Sequence, residues 1–196
     1  DAGGSVRIPA QFNGVAALKP SFGRFASDRS IGPRDLSLAS QTIPVEGILA
    51  RSAADLRLAF QVLAGPDSRD PRVVPAPLDG PPPGGPLRVA VAADPGGLGV
   101  DPAVRAAVQR AADVLARAGY EVEEADPPKI AEIIEAYGVM IMTEFQQSWP
   151  VLERLLGEDG RRYLELAMQL RKPTDLAGYL GLTARRQGLQ RAWAGF

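Results

Sequence analysis

The chain contains no cysteine and no histidine among its 196 residues. These two absences exclude a thiol nucleophile, disulfides, thiolate zinc sites and a Ser–His–Asp triad built from this chain alone. A metal could be bound only by carboxylates and carbonyls, which suit Mg²⁺ or Ca²⁺, and no spacing of Asp and Glu is typical of such a loop. We therefore expect no metal site and no cofactor.

A strong excess of one charge and a long apolar run are also missing. The 22 Lys and Arg residues are offset by 23 Asp and Glu residues, which gives a net charge of −1 with the two signs interspersed. This balance argues against nucleic acid or a membrane surface as a direct partner. No apolar stretch approaches the roughly 18 residues needed to span a bilayer. The lack of cysteine permits a cytoplasmic location, which is the location we expect.

Lysine is scarce, and this matters because a lysine with a lowered pKa can act as the base for a serine hydroxyl. The chain has three lysines: Lys19, Lys129 and Lys172. Lys19 lies at the end of a predicted strand, where a structural or partly exposed role is the simpler interpretation. The other two adjoin prolines in segments that we expect to be solvated. We assign the base to none of the three.

The segment that opens the chain carries its most informative residues. Gly3 and Gly4 precede Ser5, and glycine permits backbone conformations that are closed to residues with a Cβ. Such a turn can direct several N–H groups to one point and expose the hydroxyl, which together supply the nucleophile and the oxyanion hole of a serine hydrolase. Gly-Gly-Ser is also an ordinary loop tripeptide, so the three residues alone leave a plain loop as the alternative.

Three longer runs resemble the amidase signature family. Residues 1–24 (DAGGSVRIPAQFNGVAALKPSFGR) resemble its signature, residues 47–56 resemble its Gly-Pro-Met-Ala-Arg-Ser-x-x-Asp-Leu run, and residues 64–71 resemble the segment that follows. The sequence departs from the family pattern at Pro44, where an aspartate is common, and at Ile48, where proline is usual. Local loop detail at these two positions therefore does not carry over.

The resemblance implies a Ser–cis-Ser–Lys triad that hydrolyses carboxylic amides. By position, Ser5 is the nucleophile that forms the acyl-enzyme. The oxyanion hole is then formed by the backbone N–H groups of Ala2, Gly3, Gly4 and Ser5. Asp1 and Arg7 match positions that support the loop or meet substrate. Arg7 could bind a substrate carboxylate in a bidentate contact, or pair with Asp1 and hold the loop, which is the role we favour.

The resemblance also implies that the bridging cis-serine and the lysine base belong upstream of Asp1, and that further core strands follow Phe196. We therefore expect an internal fragment that is inactive alone. We expect an α/β fold with part of a mixed central sheet flanked by helices, and a helical C-terminal half. The expected organisation is a single amidase domain over 1–196, with a nucleophile loop and signature region (1–71), a Pro/Gly-rich connection (72–86), a strand-helix-strand unit (87–126) and a helical region (127–196).

Local patterns place the secondary structure more finely. We predict a strand within 14–19, a loop over 27–41, a helix over 52–63, and a parallel strand-helix-strand unit with strands at 87–93 and 120–125. The helix between those strands begins at Pro102 after the cap Asp101 and ends at Gly119. Its predicted inner face consists of Val104, Ala107, Val108, Ala111, Leu115 and Ala118. Later helices are predicted over 130–148, 150–156, 159–171 and 174–194, separated by Pro150, Gly157 and Pro173.

The expected reaction is hydrolysis of a small-molecule amide to a carboxylate and ammonia or an amine. One alternative is a glutaminase-like A subunit of a glutamyl-tRNA amidotransferase, which looks similar in this region and passes ammonia to a partner protein. Another is a non-catalytic scaffold that keeps the fold. A homodimer is left open.

The Asp94–Val100 loop could hold a phosphate. A plain strand-to-helix turn is the simpler interpretation, because the glycine spacing fits neither G-x-G-x-x-G nor a P-loop.

Overall fold

The computed structural model describes residues 1–28, 30–31, 34–81 and 84–196. It divides into two compact units, residues 1–81 and residues 82–196. Both units combine helices with short paired strands, and the second unit ends in three long helices. The chain therefore has the expected α/β fold with a helical C-terminal half. Among the described residues, no helix combines the length and the apolarity that crossing a membrane requires.

The described residues of the first unit form three helices and two strand pairs. Its elements are α1 (Arg7–Asn13), β1 (Ala16–Leu18), β2 (Ser30–Ile31), β3 (Arg34–Asp35), α2 (Leu38–Thr42), β4 (Ile48–Ala50) and α3 (Ala53–Leu63). β1 pairs with β4 and β2 pairs with β3, both antiparallel. β1 confirms the strand predicted within 14–19.

The predicted loop over 27–41 is wrong, because this span holds β2, β3 and the start of α2. Ser, Asp, Gly and Pro residues favour turns, and turns also occur next to short paired strands. α2 is further stabilised by the complete burial of Ala39, a tertiary contact that composition does not reveal. Residues 29, 32 and 33 of this span, and residues 82 and 83 of the predicted connection, lie outside the described residues.

Helix α1 begins two residues after Ser5 and was not predicted. Pro9 lies in its first turn, where the missing N–H has no intrahelical acceptor to lose. Gly14 ends the helix in the left-handed conformation at φ 62°, and its N–H bonds to the carbonyls of Ala10 and Gln11. Val6 and Ala10 are buried. The serine therefore lies in a turn that is continued by a helix.

The predicted helix over 52–63 is confirmed as α3. The Ser52 hydroxyl accepts a hydrogen bond from the Asp55 N–H at 3.1 Å, which caps the first turn. Leu56 and Phe60 are buried as expected, whereas Leu63, which was placed on the same face, is exposed.

In the second unit, residues 84–196 form one parallel strand pair and four helices. Its elements are β5 (Arg88–Val91), α4 (Pro102–Arg117), β6 (Glu121–Glu124), α5 (Ile130–Leu155), α6 (Glu158–Leu170) and α7 (Leu176–Ala194). β5 and β6 are parallel with Val89 opposite Val122, which confirms the strand-helix-strand prediction. The Asp101 carboxylate caps α4 by accepting from the Ala103 N–H at 2.8 Å.

The predicted inner face of α4 is wrong in phase. Ala112 is buried, and Val108 and Leu115 are half-buried, so the packed stripe follows i, i+4 and i+7. The exposed residues include most of the predicted face, namely Val104, Ala107, Ala111 and Ala118. The helix is rich in alanine on every side, so apolar periodicity does not determine which side packs.

The predicted break at Pro150 is also wrong, because α5 runs through it from Ile130 to Leu155. A proline inside a helix removes one hydrogen bond, here to the carbonyl of Gln146, and crowds the preceding turn. Both Pro150 and Gln146 are exposed, so water can hydrate the carbonyl that loses its partner. The other two predicted boundaries are confirmed. Gly157 directly precedes α6, and Pro173 lies between α6 and α7.

Candidate active site

Ser5 lies exposed in the turn that precedes α1. Gly4, directly before it, has φ +109°, a region that side-chain-bearing residues rarely adopt. A Cβ on Gly4 would lie 2.6 Å from Ile8 Cδ1, and the Ile8 N–H donates to the Gly4 carbonyl at 2.8 Å. The turn therefore favours glycine at position 4 because of its backbone conformation, whereas the exposed Ile8 side chain could move to make room for a Cβ.

The Asp1 carboxylate holds both residues that flank Ser5. Oδ1 accepts from the Gly4 N–H at 2.8 Å, and Oδ2 accepts from the Val6 N–H at 3.2 Å. Arg7 completes the arrangement with two bonds of 3.1 Å, from Nε to Oδ2 and from Nη2 to Oδ1. The Asp1 side chain is inaccessible to solvent, whereas the Arg7 side chain is 62% exposed. Of the two contacts considered for Arg7, the structure contains the bidentate pair with Asp1.

The backbone N–H groups around Ser5 fall into two sets. The Gly4 N–H is engaged by Asp1. The N–H groups of Ala2, Gly3 and Ser5 have no acceptor within the described part of the chain, and all three residues are exposed. Three donors next to the hydroxyl are therefore available to a ligand oxygen.

The segment after α2 holds the turn from its other side. The Asp1 backbone nitrogen donates to the Val45 carbonyl, and the Val45 N–H donates to the Asp1 carbonyl at 3.2 Å. A Cβ on Gly47 would lie 2.6 Å from Val6 Cγ2 and 2.8 Å from the Leu18 carbonyl oxygen. Gly47 thus allows this segment to approach Val6 closely enough to fix the position of the turn.

None of the three lysines hydrogen-bonds to Ser5 in the described ranges. Lys19 is exposed and donates from Nζ to the Pro20 carbonyl at 3.1 Å, and Lys129 pairs with Glu132 at 2.8 Å. Lys172 is exposed. Among the described residues there is no group of three or more His, Cys, Asp or Glu side chains that could hold a metal ion.

A buried carboxylate that sequence reasoning missed lies in the same unit. Asp70 is 7% exposed and accepts from the Ser27 N–H at 3.0 Å, the Arg72 N–H at 3.0 Å and Arg72 Nε at 3.3 Å. Burial alone would raise the pKa of Asp70, but these three donors outweigh it and hold the pKa below its usual range. The acid–x–arginine spacing at 70–72 was the available sequence signal.

The glycine-rich loop after β5 is closed by its own carboxylate. Asp94 Oδ1 accepts from the Gly99 N–H at 3.0 Å, and Oδ2 pairs with Arg105 at 3.5 Å. The Gly97 N–H bonds to the Asp94 carbonyl at 3.0 Å. A carboxylate at the centre of the loop disfavours a phosphate there, which supports the plain strand-to-helix turn.

Sequence comparison finds one family model and several curated proteins to which the chain is similar. The model of the Amidase family matches residues 1–191. The indoleacetamide hydrolase of Bradyrhizobium diazoefficiens is 39% identical over 194 residues, which are 98% of this chain and 37% of that protein. The A subunit of the glutamyl-tRNA(Gln) amidotransferase of Symbiobacterium thermophilum is 34% identical over 168 residues, which are 83% of this chain and 32% of that protein.

Structural comparison gives a similar result. The 6-aminohexanoate cyclic dimer hydrolase has a TM-score of 0.68 and 26% identity, covering 98% of this chain and 42% of that one. A fatty acid amide hydrolase has a TM-score of 0.72 and 24% identity, covering 99% of this chain and 35% of that one, a likeness that concerns the fold alone. The chain thus spans less than half the length of each of these proteins.

Proposed function

Since this chain belongs to the amidase family, we propose that it carries the nucleophile of an amide hydrolase and that Ser5 forms the acyl-enzyme. The observation that carries this proposal is the turn itself. Ser5 is exposed between Gly4 and Val6, and both neighbours are held by the buried Asp1 carboxylate. A nucleophile so held loses little motion when it attacks, which lowers the entropic cost of the reaction.

The proposed reaction follows from the groups around Ser5. Its Oγ attacks the amide carbonyl, and the N–H groups of Ala2, Gly3 and Ser5 stabilise the negative charge that develops on the carbonyl oxygen. The C–N bond then breaks, the amine leaves with a proton, and water cleaves the acyl ester in a second step. Asp1 and Arg7 act by holding the turn.

The base that takes the Ser5 proton is proposed to lie in a part of the whole protein beyond these 196 residues. Two observations support this. The chain has no histidine, and its lysines bond elsewhere or are exposed. A serine hydroxyl without its base is a weak nucleophile, so we expect the isolated 196-residue chain to hydrolyse amides poorly.

For the substrate, we propose a primary amide of a small aromatic acid, with indole-3-acetamide as the first compound to test. This follows the indoleacetamide hydrolase, to which 98% of this chain is similar. Glutamine is the second candidate, because the A subunit of the amidotransferase is also similar, at lower identity and coverage. A cytoplasmic location fits a chain without cysteine.

The test is ammonia release by the whole protein from indole-3-acetamide, phenylacetamide and glutamine, compared with Ser5→Ala. We expect Ser5→Ala to lose on the order of a million-fold in turnover while it stays folded, since Ser5 is exposed and its hydroxyl contributes little to packing. Ser21→Ala, which changes an exposed serine of the same unit, is the matched control and should remain active.

Full activity of Ser5→Ala would refute the nucleophile assignment. Enzyme-like rates from the isolated chain would refute an external base and make Lys19 the first residue to test.

A further inference from the structure

Asp70 connects segments that are far apart in the sequence. Its carboxylate joins Arg72 to the Ser27 N–H, 43 positions away. Only 6% of its side chain is exposed, and its oxygens are satisfied by two backbone donors and one guanidinium nitrogen. Removing the charge would leave these buried donors with a weaker acceptor, which is costly inside a protein.

Arg72 extends this connection to α2. While Nε binds Asp70, Nη1 donates to the carbonyl of Gln41 within α2. The guanidinium carbon also lies 5.8 Å from the centre of the Phe22 ring, a distance at which a cation and an aromatic face attract. One arginine side chain therefore binds both Asp70 and the last turn of α2. We call Asp70, Arg72 and their contacts with Ser27 and Gln41 the Asp70 clamp.

α2 leads directly to the turn that carries Ser5. The Ile43 N–H bonds to the carbonyl of the fully buried Ala39, which fixes the end of the helix. Val45 follows two residues later and exchanges backbone hydrogen bonds with Asp1. Asp1 in turn holds Gly4 and Val6. A continuous series of hydrogen bonds and short backbone segments thus joins the clamp to the nucleophile turn.

We propose that Asp70 and Arg72 are positioning residues for Ser5: they hold α2 in place, α2 places Val45, and Val45 places Asp1 beneath the turn. This rests on the proposed function for the identity of the nucleophile. The effect is large because a displacement of about 1 Å at a reacting group can cost roughly a hundredfold in rate. The side chains of both residues act through other parts of the protein, because they bond to Ser27, Gln41 and each other.

The chain supplies its own matched control in Asp67 and Arg69. This pair has the same acid–x–arginine spacing in the same loop, and Arg69 donates to the Asp67 carboxylate from its backbone N–H, Nε and Nη2, each at 3.0 Å. It is much more exposed, at 38% for the Asp67 side chain and 71% for Arg69. Within the described ranges the Asp67 carboxylate bonds to Arg69 and to no other residue, so its removal should leave Ser5 in place.

The experiment compares Asp70→Asn, Arg72→Gln and Asp67→Asn in the whole protein, at a temperature where circular dichroism shows each to be folded. Four quantities are measured: kcat and KM for indole-3-acetamide, the rate at which a fluorophosphonate labels Ser5, and the rate of hydrogen exchange of the Gly4 and Val6 amides. We expect the two clamp variants to lose about tenfold in kcat and in labelling rate, with KM nearly unchanged. The Gly4 and Val6 amides should exchange faster, and the double variant should be little worse than either single one. Asp67→Asn should match the unmodified protein.

The outcomes separate this inference from the function on which it rests. A folded Asp70→Asn that labels at the normal rate, with unchanged exchange at Gly4 and Val6, overturns the positioning role. If Asp70→Asn does not fold, Arg72→Gln decides the question in the same way, because it keeps the bonds of Asp70 to the Ser27 and Arg72 N–H groups. An active Ser5→Ala would refute the nucleophile, whereas the exchange rates would still show whether the clamp holds the turn.

Discussion

At the residue scale, Asp1 explains why a short glycine turn can hold a serine in a defined place. Its carboxylate is withdrawn from solvent and bonded to two backbone N–H groups and a guanidinium. A buried carboxylate is stable only with such partners, so the charge and the turn stabilise each other. The same contacts engage the Gly4 N–H and leave those of Ala2, Gly3 and Ser5 without a protein acceptor among the described residues.

Replacing Arg7 by methionine distinguishes its two candidate roles. If Arg7 holds Asp1, Arg7→Met lowers kcat by about tenfold for neutral and acidic amides alike, because a charge-assisted bond to the carboxylate is lost. Steady-state kinetics with indole-3-acetamide and glutamine measure this. Arg57→Met, which removes an exposed arginine paired with Asp79, is the control. A rise in KM confined to glutamine would instead mean that Arg7 binds the substrate carboxylate.

At the element scale, α5 is the feature most at odds with local sequence rules. Pro150 lies inside a helix of 26 residues, although proline in a helix interior costs about 3 kcal/mol relative to alanine. The buried residues Ala136, Met140 and Thr143 lie upstream of it. Tertiary packing in that part of α5 favours the helix, so its last turns are retained despite the proline.

Replacing Pro150 by alanine should therefore stabilise the second unit. The new N–H can bond to the Gln146 carbonyl, while the unfolded chain gains freedom, so we expect a net gain of about 2 kcal/mol in the free energy of unfolding. Urea unfolding followed by tryptophan fluorescence measures it, since both tryptophans lie in residues 82–196. Pro173→Ala, outside any helix, should change stability little. An unchanged or lower stability of Pro150→Ala would contradict the idea that the proline strains α5.

The elements that sequence predicted are those with local signals. Ser52 is followed by an apolar spacing that places Leu56 and Phe60 on one face, and Asp101-Pro102 marks the start of α4 by residue type alone. At Pro150 tertiary packing overrides a strong local signal, whereas the errors at α1 and α4 occur where local signals are weak. α1 has seven residues with a proline among them, and α4 is too rich in alanine for its packed side to be identified.

The candidate site likewise has one part that the sequence reveals and another that it does not. The Gly3-Gly4-Ser5 run is contiguous, so a sequence can reveal it. The Asp70 clamp joins Ser27, Gln41 and Arg72, which come together only when the first unit folds. The acid–x–arginine spacing at 70–72 signals the Asp70–Arg72 pair, but no periodicity or short motif encodes its contacts with Ser27 and Gln41.

At the scale of the whole molecule, each unit carries its own determinants of stability. Acid should act on the first unit through Asp70. The pKa of Asp70 is lower in the folded chain than its usual value near 3.9. The carboxylate therefore contributes stability that is fully present above the unfolded pKa and is lost as the pH falls through the folded pKa.

We accordingly expect the stability of residues 1–81 to decrease from about pH 5 downward, and to decrease less steeply in Asp70→Asn. The first unit has no tryptophan, so the measurement is urea unfolding followed by the amide NMR signals of β1 and β4 at several pH values. Parallel pH profiles for the two proteins would show that Asp70 does not contribute to acid sensitivity.

The exposure of Ser5 also provides a chemical handle. Because the 196 residues contain no cysteine, Ser5→Cys would introduce a single thiol, placed in an open turn beside the N–H groups of Ala2 and Gly3. Maleimides or spin labels of increasing size could then report how much space surrounds the nucleophile position. The same thiol could carry a photocrosslinker, and the residues that it captured would show which parts of the whole protein face the turn.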